Sequence, residues 1–456
     1  MTKLFGTDGI RGIAGEFPLD QHTIELIGRS LVSNLRAELG HVPSIVTGRD
    51  TRESGQAIEG ALTAGARSQG ATVRSSGVIT TPGVAFLAKN VPFDAGVVIS
   101  ASHNPYRDNG IKIFSPSGKK LADELERKIE VDIAKWVGAT PQNNRTSGDG
   151  ESPGVDVNDA YDEMYQDYLI AHVGSGLNLA ALGLAIDCAN GAAYRIAPAV
   201  FSRLGANVSL LGANPDGRNI NEACGSLHPE LLQATVVNKH LDIGIAFDGD
   251  ADRVLFVDNR GAVVDGDHMM LILAEHLKSR GKLKANVVVT TVMSNIGLEI
   301  ALRKRGIGMV RTSVGDRYVL EELLSLGASL GGEQSGHVIF PDISLAGDGI
   351  ITAIEVLRAV SEVGRPLAEL ASQLERYPQV LLNLRVLHKP PIESMPSVRS
   401  IIDDVEKSLQ GQGRVLVRYS GTENLARVMI EGQNDAEIRH QADRIAAALR
   451  AEIGAN

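Results

Sequence analysis

Basic residues are in the minority in this chain. Its 456 residues carry 45 Lys plus Arg against 55 Asp plus Glu, a formal net charge of −10. The electrostatic footprint of a nucleic-acid binder is therefore missing. Aromatic residues are scarce too, at 4%, which argues against a base-stacking surface. Cysteine is almost absent. Cys188 and Cys224, with neither CxxC nor His spacing beside them, supply no disulfide framework and no zinc set, and read as buried reduced thiols. No apolar run approaches about 18 residues, and the opening MTKLFGTDGIRG holds no apolar signal core. A cytoplasmic protein with no membrane partner is expected. GxxxxGK[ST] and a strand–GxGxxG–helix are both missing, so P-loop and dinucleotide chemistry are not expected.

What the chain has is glycine, 49 of them, and an ordinary globular balance of 43% hydrophobic and 22% charged residues. At about 150 residues per domain the length predicts three or four domains. Ile24, Ile27, Leu31 and Leu35 recur at helical spacing within 20–39, with Gly40 placed as a C-terminal cap. Short apolar runs at 44–50, 95–100, 179–187, 241–247, 286–292 and 328–332 read as strands, and each runs into a polar cluster. Strands alternating with helices predict an α/β fold with largely parallel sheets. In such sheets ligands bind beyond the carboxyl ends of the strands, where the polar clusters fall. The Gly/Pro/Ser/Asn-rich stretch 138–154 reads as a surface loop. Composition shifts divide the chain into 1–157, 158–256, 257–374 and 375–456. The last unit is smaller and α+β: it opens on the strand-like 379–386 and closes on a helix with Ile438, Ala442, Ile445 and Leu449 on one face.

Six motifs carry chemistry. DGDADR places Asp248, Asp250 and Asp252 on alternate positions of a turn after a strand. Three such carboxylates repel unless a cation neutralises them, and hard oxygen ligands suit Mg²⁺ or Ca²⁺. An EF-hand is excluded, because Arg253 stands at its sixth position and Asn259 at its twelfth. An apolar strand followed by DxD also opens phosphatases with an aspartyl nucleophile, here Asp248, but the continuation Ala251–Asp252 departs from that pattern. SASHNP offers Ser102, whose neighbour His103 is expected to point away and to be a poor base, followed by Lys112. GRDTR and GTDGIRG put Arg49, Arg52 and Arg11 in Gly-rich turns suited to anions. GGEQSGH supplies Glu333, Ser335 and His337, and RYSGTENLAR supplies Arg418, Ser420, Gly421, Thr422 and Arg427, a combination suited to a phosphate.

As an ordered set these motifs resemble the α-D-phosphohexomutase superfamily over nearly the whole chain. GTDGIRG, TVMSN (291–295) and Gln334 carry a narrower match to its amino-sugar branch. The resemblance implies four domains around a central cleft, with Ser102 as a phosphoserine and one Mg²⁺ held by Asp248, Asp250, Asp252 and the Ser102 phosphate. It implies Glu333 and Ser335 on sugar hydroxyls, and Arg418, Ser420, Gly421, Thr422 and Arg427 on the phosphate that is not reacting. Arg11, Lys112 and Arg253 would lie by the phosphoserine and His337 by the substrate, with Lys112 as acid/base if neighbouring cations lower its pKa. The expected reaction interconverts glucosamine 6-phosphate and glucosamine 1-phosphate through a 1,6-bisphosphate, supplying precursor for cell-wall UDP-N-acetylglucosamine. Glucose or glucosamine 1,6-bisphosphate would activate it. A homodimer and a mobile fourth domain are further expectations of the resemblance. Tyr419 and Asn424 depart from the superfamily's RPSGTEP pattern while the hydroxyl and arginine positions survive.

Overall fold

The apolar runs become strands nearly where their residues place them. The computed structural model describes residues 4–6, 8–139, 155–420 and 424–454. It divides into two compact units, Met1–Val292 with Val310–Ala371 and Met293–Met309 with Ser372–Asn456.

The first sheet joins β1 (Phe5–Gly6), β2 (Gly9–Ile13), β3 (Ser44–Arg49), β4 (Thr72–Val78), β5 (Ala95–Ile99) and β6 (Asp108–Phe114) in the order β1-β2-β6-β5-β3-β4. β3 runs parallel to β4 and β5, while β6 is antiparallel to β5 and β2. Helices α1 (Gln21–Leu39), α2 (Gly55–Ser68), α3 (Thr81–Asn90) and α4 (Asp123–Ala139) accompany it. The predicted stripe of α1 is its buried face, and Ile27, Leu31, Ile45, Leu62, Val97 and Ile111 share one core. Each such side chain contributes about 1.5–3 kcal/mol by leaving water. Asp20 accepts from the Thr23 N–H at the start of α1, and Gly40 ends it in the left-handed region.

The second sheet has the order β11-β10-β9-β7-β8, from β7 (Gly183–Asp187), β8 (Asn207–Leu211), β9 (Ile243–Phe247), β10 (Val254–Asp258) and β11 (Val263–Val264), with α5 (Ala160–Tyr168), α6 (Ile196–Arg203) and α7 (Glu230–Asn238). β9 is buried at all five positions, which a strand parallel to β7 and covered on both faces requires. The third sheet, β13-β12-β14-β15, comprises β12 (Val287–Thr291), β13 (Gly308–Thr312), β14 (Gly331–Gly332) and β15 (Val338–Ile339). Its part of the chain carries α8 (Gly266–Ser279), α9 (Ile296–Lys304), α10 (Asp316–Leu326), α11 (Gly349–Val363) and α12 (Leu367–Ala371). The run 328–332 yields only two strand residues, because Gly327 caps α10 and the Ala328 N–H is still bonded back to Leu323.

In the second unit β16 (Gln379–Arg385), β17 (Arg414–Tyr419) and β18 (Leu425–Glu431) form an antiparallel sheet ordered β16-β18-β17, packed by α13 (Pro396–Ser408) and α14 (Asp435–Ile453) over a core that includes Val380, Ile402, Val428 and Ile445. Buried Glu431 accepts from the Ile296 N–H at 3.0 Å and pairs with Arg414 at 2.5 Å, which ties α9 to this sheet. Residues 140–154 of the expected loop, together with Gly421 and Thr422, lie outside the described residues. No described helix is long and apolar enough to cross a membrane. Both cysteines are free and buried, as read from the sequence, and burial pushes the Cys224 thiol up to about 12.

Candidate active site

The carboxyl ends of β5 and β9 deliver the two central loops. Ser102 follows β5 and is fully buried, with φ +52, a strained backbone for a residue other than glycine. The loop is clamped in that shape. The Arg52 guanidinium, itself buried and paired to Asp50 at 2.9 Å, donates to the carbonyls of Ser102 (3.0 Å), Asn104 (2.8 Å), Asp108 (2.9 Å) and Pro105. Asn221 adds a bond to the Ser102 carbonyl at 2.9 Å. Arg52, read from the sequence as an anion binder, is thus committed to holding the serine loop. Arg49 is similarly occupied, by Glu59 at 3.1 Å.

Ser102 Oγ donates to Asp248 Oδ2 at 2.6 Å. The DGDADR loop reaches it because position 249 is glycine: a Cβ there would fall 2.5 Å from the Ser102 carbonyl oxygen. His103 does not point away. The left-handed turn at Ser102 brings its Nδ1 to 3.4 Å from Ser102 Oγ and 3.2 Å from the Arg253 guanidinium. Burial, then Arg253 and Arg11, hold the His103 imidazole below its ordinary value.

Asp248, Asp250 and Asp252 are all buried and offer oxygens within 4.8 Å of one another. Burial, followed by Asp252 and Asp250, pushes Asp248 well above the usual carboxylate range. Asp250 Oδ1 and Asp252 Oδ1 are buried without a hydrogen-bond partner. Buried carboxylate oxygens that converge without a hydrogen-bond donor fit a hard divalent cation.

Lys112, on β6, is a buried lysine, its side chain 1% exposed. It lies 2.9 Å from Asp250, 3.2 Å from Asp8 and 3.3 Å from Asp252. Burial alone would lower its pKa, but Asp250, Asp8 and Asp252 overrule it and hold the ammonium well above the usual lysine value. The condition set from the sequence, cations lowering Lys112, is therefore not met by its carboxylate neighbours. His337 is buried with Nδ1 3.8 Å from Asp252 and Nε2 3.7 Å from Asp316. Burial opposes its charge, yet Asp252, Asp316 and Glu333 raise it to about 9. Arg11 bonds Asn104 at 3.2 Å and Asp8 at 2.5 Å. Glu333 accepts from the Gly315 N–H at 3.1 Å and from Ser335 Oγ at 3.2 Å.

A cavity of about 540 Å³ brings these groups together. Arg11, His103 and Arg253 line it, as do Glu333, Asp316 and His337. It has the size and the mixed charge of a site for a small phosphorylated polyol. Sequence reasoning missed Asp8, Lys120 and Asp316. Lys120 bridges Asp8 at 2.5 Å and Asp316 at 2.6 Å. Asp8 lay within GTDGIRG, so its motif was visible although its role was not. In the second unit Arg418 on β17 stands directly across from Arg427 on β18, and Ser420 follows β17 with its carbonyl held by Lys389 at 2.8 Å.

Comparison with known proteins covers this whole arrangement. Phosphoglucomutase/phosphomannomutase alpha/beta/alpha domains I, II and III match residues 2–137, 163–261 and 265–377, and the corresponding C-terminal domain matches 381–448. The phosphoglucosamine mutase of Desulforamulus reducens is 50% identical over 449 residues, 98% of this chain and 99% of that protein. That of Solibacter usitatus is 49% identical over 451 residues, 99% of each. Among solved structures, a phosphoglucomutase/phosphomannomutase family protein from Burkholderia thailandensis is 26% identical, with a TM-score of 0.77 over 98% of this chain and 97% of that one. N-acetylphosphoglucosamine mutase from Aspergillus fumigatus, in complex with GlcNAc-6P and magnesium, shares the fold at 18% identity, with a TM-score of 0.65 over 98% and 95%. With all four domains matched in order and half the residues of full-length relatives identical, the chain belongs to the phosphoglucosamine mutase family of isomerases.

Proposed function

We propose that the chain converts glucosamine 6-phosphate to glucosamine 1-phosphate by way of phospho-Ser102 and glucosamine 1,6-bisphosphate, and so feeds synthesis of cell-wall UDP-N-acetylglucosamine. The observation that carries this reading is the buried, strained Ser102 bonded at 2.6 Å to the first carboxylate of the Asp trio. In the first half-reaction the Oγ–P bond breaks and the sugar O1 takes the phosphoryl group. In the second, the O6–P bond breaks and Ser102 Oγ takes it back, leaving glucosamine 1-phosphate. Each transfer moves one proton between the sugar hydroxyl and Ser102 Oγ. The resemblance gives that shuttle to Lys112; held as an ammonium by Asp250, Asp8 and Asp252, it would hand its proton to the leaving oxygen as it takes one from the accepting hydroxyl, with its own charge unchanged. Phosphoryl transfer asks chiefly for positioning and charge. Arg11, Arg253 and His337, cationic at neutral pH, would meet the phosphate oxygens.

Asp248, Asp250 and Asp252 would hold Mg²⁺ with an oxygen of the Ser102 phosphate. Bound there, the ion would neutralise charge on the transferring group. Glu333 and Ser335 would orient the ring through its hydroxyls. Arg418, Ser420, Gly421, Thr422 and Arg427 would grip the phosphate that is not reacting. On this reading 1–157 carries the phosphoserine, 158–256 the metal, 257–374 the sugar site and 375–456 the phosphate clamp. A hexose 1,6-bisphosphate would load Ser102 and act as activator.

The test is a phosphorus NMR time course with Mg²⁺ and a trace of glucose 1,6-bisphosphate, run on glucosamine, glucose and mannose 6-phosphates. Preferential formation of glucosamine 1-phosphate is expected. Preference for glucose or mannose overturns the amino-sugar assignment, and release of inorganic phosphate alone overturns the mutase mechanism.

A further inference from the structure

We infer that Asp316 selects the 2-ammonium of an aminohexose phosphate over the 2-hydroxyl of a neutral hexose phosphate. The inference rests on the proposed reaction. A hydroxyl both donates and accepts hydrogen bonds. An ammonium only donates and carries charge, so discrimination between them calls for a carboxylate with acceptor capacity to spare. Among the described residues four carboxylates line the cavity: Asp8, Asp252, Asp316 and Glu333. Asp8 is claimed by three cations, Arg11 at 2.5 Å, Lys112 at 3.2 Å and Lys120 at 2.5 Å. Asp252 is buried in the metal-binding trio. Both Glu333 oxygens meet neutral donors, the Gly315 N–H and Ser335 Oγ, a setting that suits a neutral hydroxyl.

Asp316 differs from all three. One of its oxygens faces Lys120 at 2.6 Å, an ammonium shared with Asp8, and the His337 ring at 3.7 Å, beyond hydrogen-bond reach. Its other oxygen accepts the Arg317 backbone N–H at 2.8 Å and keeps a second lone pair. Its side chain is 21% exposed. Asp316 also sits beside Glu333 on one wall, since the intervening Gly315 N–H is what holds Glu333. A ring hydroxyl at Glu333 thus directs the neighbouring ring substituent along that wall toward Asp316.

The experiment compares kcat/KM of the wild-type protein, Asp316→Asn and Asp316→Ser on glucosamine 6-phosphate and glucose 6-phosphate, with glucose 1,6-bisphosphate as primer. Loss of a charge-assisted hydrogen bond predicts that the preference, the ratio of kcat/KM on the amino sugar to that on glucose 6-phosphate, falls about tenfold or more, on top of whatever loss the two sugars share through the His337 that Asp316 faces. Because both sugars are read on the same protein, a folding defect lowers both. Equal losses on the two sugars in both variants overturn the inference, as does a wild-type preference that survives both substitutions. A wild-type protein with no preference for the amino sugar defeats the proposed substrate itself, a separate result.

Discussion

Arg418 and Arg427 are direct cross-strand partners on β17 and β18, so their side chains leave the same face of the sheet. Two guanidinium groups on one face make a setting for an anionic group. Arg418→Ala should leave the protein folded, with a melting temperature close to that of wild type. It should raise KM for the phosphosugar by about tenfold or more, with a smaller change in kcat. A thermal melt and a substrate titration on the same preparation measure both. An unchanged KM would remove Arg418 from the clamp.

Ser102→Ala should abolish isomerisation by orders of magnitude while leaving a folded protein. The backbone conformation of Ser102 costs alanine about as much as serine, and the loss is the hydrogen bond to Asp248 and the longer contact with His103, about 1 kcal/mol for the hydrogen bond. Incubation with bisphosphate labelled at phosphorus should load the wild-type protein and leave the variant unlabelled. Labelling or turnover that survives the substitution rules out Ser102 as the phosphoryl carrier.

The Asp trio predicts opposite effects of one substitution with and without the ion. Asp248 is buried and pushed far up by burial and its two neighbours, so a negative charge on it is unfavourable in the fold. Asp248→Asn keeps the shape and removes that charge. In a chelator its melting temperature should equal or exceed that of wild type. With Mg²⁺ added, the wild-type protein should gain stability by ligand linkage and the variant should gain little, with turnover lost. A variant stabilised as much as wild type by Mg²⁺ would remove Asp248 from the ligand set.

Much of this site was legible because its chemistry is local in sequence. DGDADR, SASHNP and GEQSGH each occupy one loop at a strand end, so their residue types announce themselves. What was not legible depends on pairing between distant segments. Only the resemblance put Lys112 by the phosphoserine; that carboxylates and not cations surround it emerges once β6 is seen to run beneath the Asp loop, where Asp250 and Asp252 meet it. Arg52 looked like an anion ligand because nothing in GRDTR reveals that the carbonyls of 102–108 close over it. His103 was misdirected because sequence neighbours diverge only when the backbone is regular, and φ at Ser102 is positive. Asp316 and Lys120 lie in unremarkable stretches nearly two hundred residues apart and matter only once brought to 2.6 Å.

His337 gives the last prediction, and its sign is fixed by the direction of its shift. Its folded-state pKa is raised to about 9 by Asp252, Asp316 and Glu333 against the cost of burial, whereas in the unfolded chain the imidazole titrates near its ordinary value of 6.5. The protonated imidazolium therefore stabilises the fold fully below about pH 6.5, and that stabilisation is lost as pH rises through about 9, an amount on the order of 3 kcal/mol. Chemical denaturation in a chelator, which leaves the Asp252 charge available to His337, should show stability falling between those limits. His337→Asn should be less stable at pH 6 and should lose most of that slope. A variant whose stability falls over the same window as steeply as wild type would show that another group carries the titration, and would remove the cationic His337 from the account of phosphate binding.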